Sequence, residues 1–253
     1  MAGQSSDNRV VAFFHTIVIY VWIIFATLLI GTTVILASFL PKTGNFIHHL
    51  ARVWGRSILW ISRVKVDISG LEHIDPSSTA IYMSNHQSNF DIPVYFSALP
   101  VQFRWLAKAE LFKIPVFGRA MSGAGYIRID RSNAKSALRS LKSAAESIRS
   151  GTSVLIFPEG TRSVDGKLLP FKTGGFYLAI GAGVPIVPLS IQGTRQVMAK
   201  GRKLIHVGSV HIEMKPPIET TAYTRKTMEP LMGQVQTSIS EGMTHDRAGG
   251  EHG

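Results

Sequence analysis

Cysteine is absent from the 253-residue chain. That removes disulfides, thiolate nucleophiles and Cys-ligated zinc together. Acids are scarce: 16 Asp and Glu stand against 27 Lys and Arg, a formal net charge of +11. Such a balance favours polyanions or anionic membrane surfaces as partners. Several signatures are missing as well. The segment Gly160 to Leu168 has one residue too many between its glycines for a P-loop, and Gly123-Ala124-Gly125 lacks the third glycine of a dinucleotide fingerprint. Neither an HExxH metal motif nor a G-x-S-x-G nucleophile elbow occurs. No metal site is expected.

Charge is also missing from one long stretch. Val10 to Leu40 holds no formally charged residue, and only His15, a few hydroxyls and Gly31 interrupt its apolar character. As a helix it would reach about 46 Å, beyond a hydrocarbon core of about 30 Å, so it must tilt, protrude or bend in a membrane. It is too long for the apolar region of a signal peptide. Phe46 to Lys65 has a different pattern: Phe46, Leu50, Val53, Trp54, Ser57, Ile61 and Val64 share one helical face, flanked by Arg52, Arg56 and Arg63. This amphipathic helix suits either an anionic headgroup layer or packing on the following domain. Lys42 to Lys65 carries basic residues and no acid, which predicts that this side faces the cytoplasm, on the inner membrane if the source is bacterial.

The expected organisation is therefore a membrane-embedding region at 1–65, an α/β domain at 66–243 and a disordered tail at 244–253. Strand candidates are Val64 to Ser69, Thr79 to Ser84, Gly125 to Ile129, Ser153 to Phe157, Pro185 to Ile191 and Gly208 to Met214. A helix capped by Ser132 ends at Gly151, and another covers about Thr224 to Gly242. The fold class is α/β, with a mixed, largely parallel sheet flanked by helices.

"SNHQSNFD", Ser84 to Asp91, is a polar octet between two apolar runs. On a continuous helix His86 and Asp91 would diverge by about 140°. A loop after a strand, followed by a helix that Ser88 or Asn89 caps near Phe90, lets Asp91 accept from one ring nitrogen and leaves the other as a general base. Catalytic groups of open α/β sheets gather at this strand end. "FPEGTRS", Phe157 to Ser163, forms a second polar loop after a strand, with Arg162 as a forked donor suited to phosphate. Lys108 and Arg131 lie near further strand ends. Together these loops describe a base in an anion-binding pocket.

"NHQSNFD", "KAELFKIPVFGRAMSGAGYIRIDR", "FPEGTRS" and "VPIVPLSI" resemble, in order and spacing, the four blocks of the glycerolipid acyltransferases, most closely the 1-acylglycerol-3-phosphate acyltransferases. The resemblance spans about Leu71 to Ile191. It implies that His86 is the base and Asp91 its partner, and that Glu159, Gly160, Thr161 and Arg162 bind lysophosphatidic acid, with Lys108 or Arg131 near the phosphate. It further implies that Val184, Pro185 and Pro188 line the acyl side. The implied reaction is acyl transfer from acyl-CoA or acyl-ACP, as co-substrate, to the sn-2 hydroxyl of 1-acylglycerol 3-phosphate, giving phosphatidic acid with no bound cofactor. Another lysolipid or glycerol 3-phosphate is an alternative acceptor. A membrane-tethered polyanion binder is the alternative of another class, although the basic residues are dispersed and no base-stacking motif points to nucleic acid. The expected partners are membrane lipids, including anionic phospholipids.

Overall fold

The computed structural model of the protein describes residues 2–37, 39, 44–130 and 132–244. The expected tail from 245 onward lies outside them. Two long helices come first, α1 (Ala2–Ala37) and α2 (Gly44–Ile61). The α/β domain follows as β1 (Val64–Ser69), β2 (Ile81–Ser84), α3 (Asp91–Ala98), β3 (Arg104–Lys108), α4 (Phe117–Gly123), β4 (Ile127–Ile129) and α5 (Ala134–Arg149). Next come β5 (Val154–Ile156), α6 (Gly174–Ala182), β6 (Ile186–Gln192), α7 (Thr194–Val197), β7 (Gly208–Met214) and α8 (Met228–Thr244).

The strands form one sheet in the order β1-β7-β6-β2-β5-β3-β4. From β6 to β4 the neighbours are parallel, while β7 runs antiparallel to β6 and carries β1 parallel to itself. The expected mixed, largely parallel sheet is what forms. Its central strands are apolar on both faces because helices cover both. Tyr82, Leu155, Val187 and Leu189 join the core under α2 and α3, whereas Ile81, Met83, Val154, Ile156 and Ile186 join the core under α5, α6 and α8. The chain leaves β2 into α3 on one face and leaves the adjacent β5 toward α6 on the other. A crevice opens between such diverging loops.

The amphipathic helix ends earlier than its pattern predicts. Arg63 takes a left-handed φ of 52°, which closes α2, and Val64 and Lys65 enter β1. Its faces also divide differently. Ile47, Ile58 and Leu59 are buried toward the domain, while Phe46, Val53 and Trp60 are exposed. Trp54 and Ser57 turn to α1: the Trp54 indole donates to Thr27 Oγ1 at 3.0 Å, and the Trp22 indole donates to Ser57 Oγ at 3.1 Å. α5 is capped by Asn133, one residue later than expected, with its side chain accepting from the Ser136 amide at 2.8 Å.

α2 lies on α3 at a glycine. A Cβ on Gly55 would stand 2.7 Å from the Pro93 carbonyl oxygen and 3.0 Å from Phe96 Cβ. Gly55→Val is therefore expected to force α2 off α3 and lower stability by about 1–3 kcal/mol, the usual range for overpacking. Thermal melts in detergent measure this, and an unchanged midpoint would contradict the close approach.

Candidate active site

β2 ends at Ser84, and the next residue extends its ladder by a side chain. Asn85 Nδ2 donates to the Ile191 carbonyl at 2.9 Å, and Asn85 Oδ1 accepts from the Ile191 amide at 2.8 Å. The loop so anchored turns into α3, which begins at Asp91. One oxygen of that residue, Oδ2, accepts three bonds: from His86 Nδ1 at 2.6 Å, the Gln87 amide at 2.8 Å and the Ser88 amide at 2.9 Å. Asp91 is fully buried, and the ionised carboxylate accepts only, so the His86 proton sits on Nδ1. Nε2 then carries the free lone pair. Phe157 fixes the plane of the ring, stacking on it at 3.8 Å between centroids and 5° between planes.

The structure places His86 on a loop before α3 and brings it within 2.6 Å of Asp91, the arrangement that a loop before the helix start allows. Helix capping differs in detail: Phe90 is the N-cap, and Ser88 Oγ accepts from the Phe90 amide at 3.0 Å. Among the residues implied for substrate binding, Lys108, Gly160, Thr161 and Arg162 share a cavity of about 480 Å³ with His86. Among the described residues, no carboxylate lies within ion-pair distance of Lys108 or Arg162. Two cations without an acidic partner among the described residues suit a bound phosphate. Arg131 lies outside the described residues.

Glu159 is placed differently from the expectation. It is buried away from the cavity, with Oε1 accepting from the His86 amide at 2.7 Å and Oε2 from the Leu169 amide at 2.9 Å. With both oxygens occupied it braces two loops and does not line the cavity. Val184, Pro185 and Pro188 are also displaced from their implied role. β6 is parallel to β2, with Ile186 beside Ile81 and Leu189 beside Ser84. Val184 and Pro185 thus sit before the N-terminal end of β6, at the opposite end of the strands from His86, and Pro188 is buried within the strand.

The apolar wall comes from elsewhere. Beyond His86 and Arg162 the cavity is lined by Ile30, Gly31 and Val34 of α1, Ile47, Ala51 and Trp54 of α2, and Phe117, Ala120 and Met121 of α4. The amphipathic pattern of α2 was the available signal, since it leaves one apolar face for a purpose besides domain packing. Phe157 stood within its motif, but nothing in spacing alone reveals a ring stack.

A Ser–His–Asp array outside the cavity lies on β1 and β7. His211 Nδ1 is 2.8 Å from Asp67 Oδ2, and His211 Nε2 is 3.2 Å from Ser69 Oγ. The Asp67 side chain is 82 % exposed, where water competes for the imidazole, and none of the three lines the cavity. It is a polar patch on a sheet edge.

Burial pushes the Glu159 carboxyl up to about 7, against the opposing effect of its two amide bonds. A folded-state value above the unfolded one means that the stability from this group is full below the ordinary carboxylate range and is lost as pH rises through about 7. Glu159→Gln removes that titration, so its melting temperature is expected to fall less than the parent's between pH 5 and 8. Because Gln leaves one amide without an acceptor, the variant should also melt lower at pH 5. Parallel melting curves against pH that never converge would refute the assignment.

Residues 65–192 match the Acyltransferase family. The chloroplastic 1-acyl-sn-glycerol-3-phosphate acyltransferase of Brassica napus is 38 % identical over 79 % of this chain and 56 % of its own length. The alpha 1-acyl-sn-glycerol-3-phosphate acyltransferase of Homo sapiens is 32 % identical over 77 % of this chain and 71 % of its own. The chain thus spans just over half the length of the plant relative. The crystal structure of the 1-acyl-sn-glycerophosphate (LPA) acyltransferase PlsC from Thermotoga maritima superposes with a TM-score of 0.79 at 26 % identity, covering 93 % of this chain and 97 % of that one. A half-buried histidine held by a fully buried aspartate at a strand end, two cations without an acidic partner among the described residues, and these relatives agree, and the chain belongs to the acyltransferase family.

Proposed function

We propose that this chain transfers a fatty acyl group from an acyl thioester, acyl-CoA or acyl-ACP, to the sn-2 hydroxyl of 1-acylglycerol 3-phosphate, giving phosphatidic acid. The observation that carries this reading is His86 held by Asp91 at the polar end of a cavity whose remaining wall is apolar. Nε2 of His86 removes the hydroxyl proton as the oxygen attacks the thioester carbonyl. Asp91 stabilises the imidazolium that forms. Collapse of the tetrahedral adduct breaks the C–S bond, and the departing thiolate takes the proton back from His86. A thioester is already activated, so a base and positioning suffice without an acyl-enzyme. Arg162 and Lys108 hold the acceptor phosphate, and a fatty chain occupies the part of the cavity walled by α1, α2 and α4.

The reading also includes how the chain meets the membrane. Val11–Ala37 is long and apolar enough to cross one. Yet α1 contacts the catalytic domain along its length. The Ile205 amide donates to Thr16 Oγ1, the Tyr20 hydroxyl donates to the Lys203 carbonyl, and a Cβ on Gly31 would lie 3.1 Å from Val116 Cγ1. From Tyr20 to Gly31 is about 16 Å along a helix axis. A perpendicular crossing would drag the attached domain to hydrocarbon depth, where its polar groups are costly. Instead α1 lies in one leaflet on the cytoplasmic side. It embeds Phe14, Val18, Val21, Phe25 and Leu29, all exposed, while Arg56 and Arg63 meet anionic headgroups.

Two experiments test the proposal. With purified protein, labelled acyl donor and lysophosphatidic acid, His86→Ala should lower kcat by roughly 10²–10⁴-fold, the range of general-base catalysis, while vesicle binding persists. Near-parental turnover would remove His86 as the base. Arg162→Ala should instead raise KM for lysophosphatidic acid, with the acyl-donor KM unaltered, and a panel of other lysolipids and glycerol 3-phosphate tests the acceptor. Because the chain has no cysteine, single cysteines at Asn8 and Asn45 report topology cleanly. An impermeant maleimide should label both from the same face, and labelling from opposite faces would establish a crossing.

A further inference from the structure

The segment between α7 and β7 touches three separate parts of the molecule. The Met198 carbonyl accepts from Ser88 Oγ at 2.7 Å, and the amide of that same Ser88 bonds to Asp91 Oδ2. Two residues on, Lys200 Nζ donates to the Arg162 carbonyl at 2.8 Å and reaches Thr161 Oγ1 at 3.3 Å. Farther along, the Lys203 carbonyl accepts from the Tyr20 hydroxyl at 3.0 Å, and the Ile205 amide donates to Thr16 Oγ1 at 3.0 Å. One short strap, residues 198–205, therefore joins the base loop, the phosphate loop and the membrane helix.

From this arrangement we infer that Lys200 is a positioning residue for Arg162, and that the strap carries the seating of α1 to the acceptor site. Thr161 is exposed and Arg162 half-buried, just past Gly160, which has a φ of 69°, so little packing holds their backbone. An ammonium bonded to the Arg162 carbonyl fixes where that guanidinium starts. Small misplacement of a binding group is expensive in orientation. At its far end the strap is pinned to α1 by Ile205, which is fully buried, so displacement of Thr16 or Tyr20 reaches Lys200 through a few backbone units.

The inference rests on Arg162 binding the acceptor phosphate, and the experiment separates the two. Acylation of lysophosphatidic acid and of a phosphate-free monoacylglycerol is measured for Lys200→Met, Arg162→Ala, their double variant, Lys200→Arg, and Thr16→Val with Tyr20→Phe. Lys200→Met is expected to raise KM for lysophosphatidic acid roughly tenfold, the effect of losing a charged hydrogen bond, and to leave KM for the acyl donor and for monoacylglycerol unchanged. Lys200→Arg should restore much of the loss. On the Arg162→Ala background Lys200→Met should add little, because it acts through a group already gone. The paired α1 variant should shift the same KM while vesicle sedimentation stays constant. If Arg162→Ala leaves KM unchanged, the phosphate assignment itself fails. If Arg162→Ala raises KM and Lys200→Met does not, or if their effects multiply, the positioning role is overturned. The α1 variant tests the strap even should Lys200→Met fold poorly, and an unchanged KM there overturns the coupling.

Discussion

The site hangs on a single atom, Asp91 Oδ2. Three N–H groups converge on it, from the His86 ring and the Gln87 and Ser88 amides. The ring bond sets the tautomer, and the two amide bonds curl the loop that would otherwise continue β2. Asp91 also opens α3, so its charge lies where the helix end is most favourable to an anion. The other oxygen, Oδ1, is buried with no partner among the described residues, a cost that the three charge-assisted bonds on Oδ2 offset. Remove the carboxylate and loop shape, proton placement and helix start fail together.

Other groups hold this arrangement from outside. Asn85 ties the loop to β6, Glu159 ties the His86 amide to the segment beyond the third block, and the Ser163 amide donates to the His86 carbonyl at 2.8 Å. Phe157 closes the face of the ring against Trp105, whose ring lies 5.4 Å away. The loop that carries the histidine is thus tied at its amide, its carbonyl and its ring Nδ1, which leaves Nε2 as the ring nitrogen facing the cavity side. In the proposed transfer, a base that neither rotates nor flips would lose little orientation when the acceptor hydroxyl arrives.

Legibility followed the range of the interaction that fixed each residue. The His86–Asp91 pair was readable because five residues and one turn separate the partners. β2, β5 and β6 were readable as apolar runs between breakers. β3 was missed: Arg104 and Lys108 bracket its apolar centre, so alternation never develops. Glu159 was misassigned for a related reason, since a motif acid resembles a ligand until two distant amides are seen to occupy it. Val184, Pro185 and Pro188 failed on direction. A strand motif names residues but not which end of the sheet they reach, and parallel register with β2 put them at the wrong one. Lys200 has no local signature, because its partners lie at Thr161 and Arg162.

The N-terminal helices explain why such an enzyme cannot be divided into anchor and catalyst. α1 and α2 each have an apolar face toward the domain and another toward the outside. The inner faces, with α4, form the apolar wall of the cavity that opens on His86. A smaller apolar cluster of Val34, Ala37, Ile47 and Ala124 closes that wall where the three helices meet. The wall exists only while those helices stay packed, and the apolar outer faces they leave exposed are the kind of surface that marks an interaction site. On the proposed reading, in which the outer faces meet lipid and the wall takes a fatty chain, membrane association and formation of the cavity are two consequences of one folding event, since truncating the helices would remove both surfaces together.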